Sequence, residues 1–173
     1  PAGLPVQIVE DGRTRTRSYP LWFAAPPGQL SAALPATAAL SRGVNLGSPG
    51  VIETSGAETG LTAEPLLTTS AEAGRIDIDI AARSPAPGEL LEAHEIAQDA
   101  PLALAVRMSG VLPSAFPDGP PAEGDVPLDP AGHRARSDGP AEVILIADAD
   151  ILDPAFFTGG EAGEIIADNL DLM

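Results

Sequence analysis

The apolar positions of this chain come in short runs separated by Gly- and Pro-rich stretches, and the first run carries the plainest signal. Val6, Ile8 and Val9 precede Asp11-Gly12, and alternating Thr and Arg follow. Asp-Gly suits a two-residue type I′ turn, because glycine accepts positive φ without steric cost. The pattern predicts a hairpin with strands over residues 5–10 and 13–19. Side chains two apart on a strand share a face, so Arg13, Arg15 and Arg17 line one side and Thr14 and Thr16 the other. Charges on such a strand keep its open edge from pairing with other chains. An anion-binding stripe is the alternative use of the three arginines.

Further runs follow. A short helix is expected near 35–42 and short strands at 51–54 and 65–70. "RIDIDIA" (75–81) alternates, which predicts a strand with Ile76, Ile78 and Ile80 inward and Asp77 and Asp79 outward. "PGELLEAHEIAQ" (87–98) places Leu90, Leu91 and His94 near one helical face, and "PLALAVRMSG" (101–110) reads as a buried strand. Residues 116–140 hold little core material and predict a long surface loop. The run at 143–147 is expected to be a buried parallel strand, and a C-terminal helix is expected from about 161. Trp22 and Tyr19 are the one Trp and one Tyr, and Trp22 reads as a core anchor, with part of a ligand pocket as the alternative. Strands interleaved with helices make the expected fold α/β: a mixed sheet of about five to seven strands, a few helices and long Pro/Gly-rich loops.

Composition narrows the function. With 173 residues, 18 Gly and 19 Pro, the chain is long enough for one folded domain with extended loops, and 1–173 is taken as a single soluble domain. The net charge is −16 and all nine basic residues are arginine. Such a surface repels phosphate backbones and anionic lipid, which argues against nucleic acid as a partner. The absence of cysteine removes disulfides, thiolate metal sites and cysteine nucleophiles. No apolar stretch is long enough to span a bilayer as a helix. The chain begins at Pro1 without Met, and we expect it to be a fragment of a longer bacterial protein anchored by transmembrane helices outside it.

The strongest chemical candidate is "VILIADADILDPAFF" (143–157), an apolar run that ends in Asp148, Asp150 and Asp153. Asp-x-Asp after a strand matches the opening motif of haloacid-dehalogenase-type phosphatases, but their chemistry needs a lysine, and this chain has none. A calcium loop fails because Ile151 and Leu152 stand where polar ligands and a glycine belong. A sugar-nucleotide transferase would need cations beside the pair, and no arginine lies nearby in sequence. Turn and cap formation explains the carboxylates more simply: they accept hydrogen bonds from backbone N–H groups freed where a strand ends. Asp150 and Asp153 have N-cap-to-N3 spacing, with Pro154 suited to a first helical turn. No catalytic, cofactor or metal residue is therefore assigned, with Asp148, Asp150 and Asp153 as weak metal candidates. His94 and His133 could join Ser70 or Ser109 in a triad only on paper, because no G-x-S-x-G elbow, P-loop or H-E-x-x-H is present.

The order of five segments adds more. "YPLWF" (19–23), "EPLLTTS" (64–70), "LALAVRMSGVLPSAFP" (102–117), "VILIADADILDPAFF" (143–157) and "ADNLDLM" (167–173) occur in series. This series resembles the auxiliary component of ABC transporters of the gliding-motility type, although Asp148-x-Asp150-x-x-Asp153 is one residue shorter than that family's spacing. The resemblance implies the later half of an extracytoplasmic region whose first half is Rossmann-like or glutamine-amidotransferase-like. It also implies a place at the periplasmic face of the inner membrane and a non-enzymatic role beside an ABC permease and ATPase. No cofactor is expected. A homo-oligomer, with copies of the chain as partners, is a further expectation. The competing readings are a metal-dependent enzyme on a phosphorylated or sugar substrate, using the aspartate cluster, and a small-molecule sensor.

Overall fold

The computed structural model describes residues 3–54, 60–120, 132–160 and 163–172. Among them the chain forms ten strands and four short α-helices, the mixed α/β class expected from the sequence, with the strands divided among four small sheets. The chain falls into two compact units: Pro1–Glu53 with Pro65–Ala105 and Ile146–Met173, and Thr54–Glu64 with Val106–Leu145.

In the first unit, β1 (Gly3–Glu10) and β2 (Arg13–Ala25) form the expected hairpin, with Glu10 paired to Arg13. Asp11 at φ 51° and Gly12 at φ 71° make the left-handed pair that a type I′ turn requires. Val6 and Ile8 lie opposite Arg17 and Arg15, so the arginine stems cover the apolar face while their heads stay in water. Both Arg15 and Arg17 pair with Glu10. Beyond Tyr19, β2 turns its second half to β3 (Val44–Gly47), antiparallel, with Trp22 opposite Gly47.

All four residues of β3 are buried, and the unit's core forms around them. Ala25, Leu40, Val44, Leu46, Leu66, Leu67, Leu104, Ala105 and Ile151 make the cluster, flanked by Phe23, Leu30, Leu34, Ile146 and Leu172. The helices α1 (Pro35–Ala38), α2 (Ile78–Ala81), α3 (Pro87–Ala93) and α4 (Pro154–Phe157) are too short to stand alone, and three of them start at proline, whose missing N–H costs nothing there. Two small ladders complete this unit: β5 (Gly74–Arg75) with β6 (Glu95–Ile96), and β9 (Thr158–Gly159) with β10 (Glu164–Ile165).

The third sheet has the order β4 (Leu61–Thr68), β7 (Ala103–Gly110), β8 (Ala141–Ile146). Hydrogen bonds from Ala147 N–H to Leu104 O and from Ser137 N–H to Leu112 O run β7 and β8 in opposite directions. In the second unit Arg107 on β7 bridges Glu64 on β4 and Glu142 on β8. Val106 is the one buried side chain among this unit's described residues.

Several expectations are corrected. Residues 78–81 are helical, because the Asp77 carboxylate accepts the Asp79 N–H and starts a turn; Ile78 is left in solvent. The helix from 87 stops at Ala93, where Leu90 is buried but Leu91 is exposed. Residues 51–54 form no strand, although Ile52 N–H reaches Ala103 O. No C-terminal helix appears among the described residues after 163; β10 is followed by turns that the Asp168 carbonyl closes. The strand at 141–146 is neither buried nor parallel: it is an antiparallel edge strand. Of the loop expected at 116–140, residues 121–131 lie outside the described residues, and the rest holds turns and an isolated bridge from Arg136 to Pro113.

Candidate functional site

The three aspartates of the sequence motif have three different environments. β8 ends at Ile146, a 3-10 turn spans Asp150–Leu152, and α4 begins at Pro154. Asp148 points inward and is 8% exposed. Its Oδ2 accepts the Gly47 N–H at 2.7 Å and its Oδ1 accepts the Asp150 N–H at 2.9 Å. One carboxylate thus ties the end of β3 to the turn after β8. Burial pushes its pKa above the usual carboxylate value, and the N–H groups of Gly47, Asp150 and Ile151 pull against that shift.

Asp153 is exposed and caps α4 by accepting the Ala155 N–H at 2.9 Å. Asp150 was expected to be the cap, but Ala149 stands at the N-cap of the 3-10 turn. Among the described residues no donor reaches the Asp150 carboxylate. The Asp153 N–H, which an Asp150 cap would accept, donates instead to the Asp150 carbonyl and closes the 3-10 turn. No three His, Asp or Glu side chains gather at metal-binding distances among the described residues.

Gly47 organises what surrounds the turn. A Cβ there would lie 2.5 Å from Phe156 Cζ and 2.8 Å from Asp150 Cβ, so only glycine fits. Phe156 is buried and meets Trp22 edge-on at 5.6 Å, and Trp22 meets Tyr19 in the same way at 5.2 Å. Trp22, expected as a core anchor, is 38% exposed, because its partner across the ladder is a glycine that offers no side chain to cover it; Tyr19 is the buried member of the pair.

A second polar group, in the "ADNLDLM" segment, is more deeply buried. Asp168 Oδ2 accepts the Ser41 and Arg42 N–H groups, each at 2.7 Å, and Oδ1 pairs with the Arg42 guanidinium at 3.2 Å. The Arg42 N–H holds this carboxyl below the usual range, helped by Ser41 N–H and the guanidinium against the opposing effect of burial. Asn169, fully buried, acts as a strand partner for β3: Oδ1 accepts the Asn45 N–H, and Nδ2 donates to Asn45 O and Ile151 O. Asn45 Nδ2 in turn donates to Phe156 O at 2.6 Å. The signal in the sequence was the adjacent Asp168-Asn169 between apolar neighbours.

His94 does no comparable work: it closes α3, with Nδ1 2.8 Å from Leu91 O, and it is exposed. His133 is half-buried, and its Nε2 has no hydrogen-bond partner among the described residues. The family model described as an ABC-type uncharacterized transport system matches residues 2–173. The chain belongs to that family. As a member of this ABC transport family it is an auxiliary component of such a system, and the match covers both the aspartate turn and the Asp168-Asn169 segment. Searches of curated proteins and of solved structures return no match. Among the described residues of this family member, no helix is long and apolar enough to cross a membrane.

Proposed function

We propose that this chain is a non-enzymatic accessory module of an ABC-type transport system of the gliding-motility kind. It works at the periplasmic face of the inner membrane, by binding or scaffolding beside the permease and ATPase. The observation that carries this reading is the family match over residues 2–173. The polar geometry supports it: Asp148 spends both carboxylate oxygens on backbone N–H groups, Asp168 one on backbone and one on the Arg42 guanidinium, and Asp153 one on the cap of α4. Groups held in that way fix loops and are poorly placed to move protons or hold a reacting phosphate.

The test is capture of the natural full-length protein from detergent-solubilised membranes. The permease and ATPase encoded with it should co-elute. Their absence from a folded, captured sample would contradict the accessory role. The metal-dependent reading stays distinguishable through Asp150, the carboxylate that no described donor satisfies. Were it a metal ligand, Mg²⁺ or Mn²⁺ at a hundredfold over its Kd would stabilise the wild type by about 2.7 kcal/mol. The Asp150→Ala variant would gain nothing.

A further inference from the structure

The face of the β2–β3 ladder around Gly47 carries two exposed groups that the fold leaves unused. Trp22 stands across the ladder from Gly47, and cross-strand partners point to the same face. On that face, the position a Cβ would take at Gly47 lies 2.8 Å from Asp150 Cβ and 2.5 Å from Phe156 Cζ. Opposed Cβ positions are about 5 Å apart, so the side chains of Trp22 and Asp150 start within about 8 Å of each other. Tyr19 and Phe156 both meet the indole edge to face, so neither ring lies flat on it, and Trp22 remains partly in water. Asp150 is exposed too. Among the described residues nothing donates to its carboxylate, whereas Asp148 and Asp153 beside it both have N–H partners.

We propose that Trp22 and Asp150 form a docking site for one arginine side chain of a partner protein, with the guanidinium lying on the indole and donating to the carboxylate. The chemistry of the site selects this occupant. It offers a π face and an anionic acceptor. Asn45, two residues along β3 and on the same face, spends its amide on Phe156 O and adds no free donor. A group that fits this face donates without accepting. Guanidinium is planar, always charged and donor-only, and it stacks on aromatic rings, whereas an ammonium is held more strongly by water. A sugar hydroxyl would ask for donors as well as acceptors. Charge points the same way. The chain carries 25 acidic residues against nine arginines, so its surface draws a cationic segment in. Its own described ion pairs leave Asp150 out. Trp22, Gly47, Asp150 and Phe156 all belong to the first unit. The site does not depend on the accessory role, and a peptide reads it with no transporter present.

Trp22 is the chain's one tryptophan, so its emission reports the site directly. The probe is acetyl-Gly-Arg-Gly-amide, added to the intact chain. Emission should change and saturate in the millimolar range, as one partly exposed cation–π contact and one ion pair allow. The same peptide with citrulline, which keeps the shape of arginine and loses its charge, should bind at least about tenfold more weakly. Asp150→Asn should weaken arginine binding about fivefold, and Glu72→Gln, which removes an exposed charge outside the site, less than about twofold. Trp22→Leu, followed by calorimetry, should abolish measurable binding. Trp22→Phe keeps a ring for the case in which the leucine variant fails to fold, and it should bind more weakly than the wild type. Added salt should loosen the complex, because the ion pair is exposed.

No saturable change of emission with the arginine peptide overturns the proposal. So do citrulline binding as tightly as arginine and an Asp150→Asn variant that binds like the wild type. An equal loss in Glu72→Gln also overturns it, since that would mark attraction to the acidic surface as a whole. A response to a neutral disaccharide such as maltose, in place of the peptide, overturns it and assigns the face to a sugar.

Discussion

The two units differ in what they bury. In the first, a hydrophobic cluster encloses polar side chains: Asn45, Asp148, Asp168 and Asn169 are buried, and each is hydrogen-bonded to backbone. In the second, Val106 alone is buried among its described residues, and Val143, Ile144 and Leu145 are exposed in succession along β8. Apolar exposure itself does not separate the units, because the first also exposes Val9, Ile78 and Leu91. A buried polar group is tolerable only with partners, and the first unit has those partners within the chain.

The sharpest way to break this contrast is at Asn169. Changing it to Asp removes both donations to carbonyl groups and leaves a buried carboxylate facing them. The variant should lose about 3 kcal/mol or more, with a clearly lower melting midpoint. An unchanged midpoint would show that the polar clamp is not what holds the first unit. Asp148→Asn comes next, at about 1–3 kcal/mol, because an amide can accept only one of the two N–H groups that the carboxylate satisfies. Asp153→Ala should cost about 1 kcal/mol as a lost cap, and Asp150→Ala less than about 0.5 kcal/mol. Should Asp150→Ala prove the most damaging of the three, the reading of the turn fails. Gly12→Val should cost about 1 kcal/mol, since a β-branched residue resists the positive φ of the hairpin turn.

The two buried carboxylates also separate by pH. Asp168 has a depressed pKa, so its contribution to stability is present above the unfolded value near 3.8 and is lost as pH falls through its folded value. Asp148 is raised, so the folded state takes its proton first, and lowering the pH through that value relieves an unfavourable buried charge. A carboxyl-carbon NMR titration should find Asp148 titrating above 3.8 and Asp168 below it. The reverse order would contradict the hydrogen-bond assignments.

What the sequence revealed followed from local chemistry. Asp11-Gly12 specifies its turn without help from the rest of the chain, and 103–110 and 65–68 carry enough apolar residues to mark their strands. The misreadings are places where two local rules competed or where tertiary contacts decided. In "RIDIDIA" the alternation of Ile and Asp suits a strand, but Asp77 is also a helix cap, and the cap won. β3 was not predicted at all, because Val-Asn-Leu-Gly is short and half its residues disfavour strands. Asn45 is accommodated only by Asn169 and Phe156, and Gly47 by the Phe156 ring, partners far along the chain. The apolar run at 143–147 looked like the inside of a sheet, since hydrophobicity alone does not distinguish a core strand from an edge strand. The aspartate cluster was legible as turn chemistry, though its buried member is Asp148 and its cap is Asp153.

The contrast between the units rests most directly on the buried polar clamp of the first, and backbone hydrogen exchange of the intact chain reads it without any substitution. The account predicts that the Asn45 amide, which donates to the buried Asn169 Oδ1, exchanges far more slowly than amides of the exposed edge strand at 142–145. Exchange at Asn45 as fast as in β8 would contradict it.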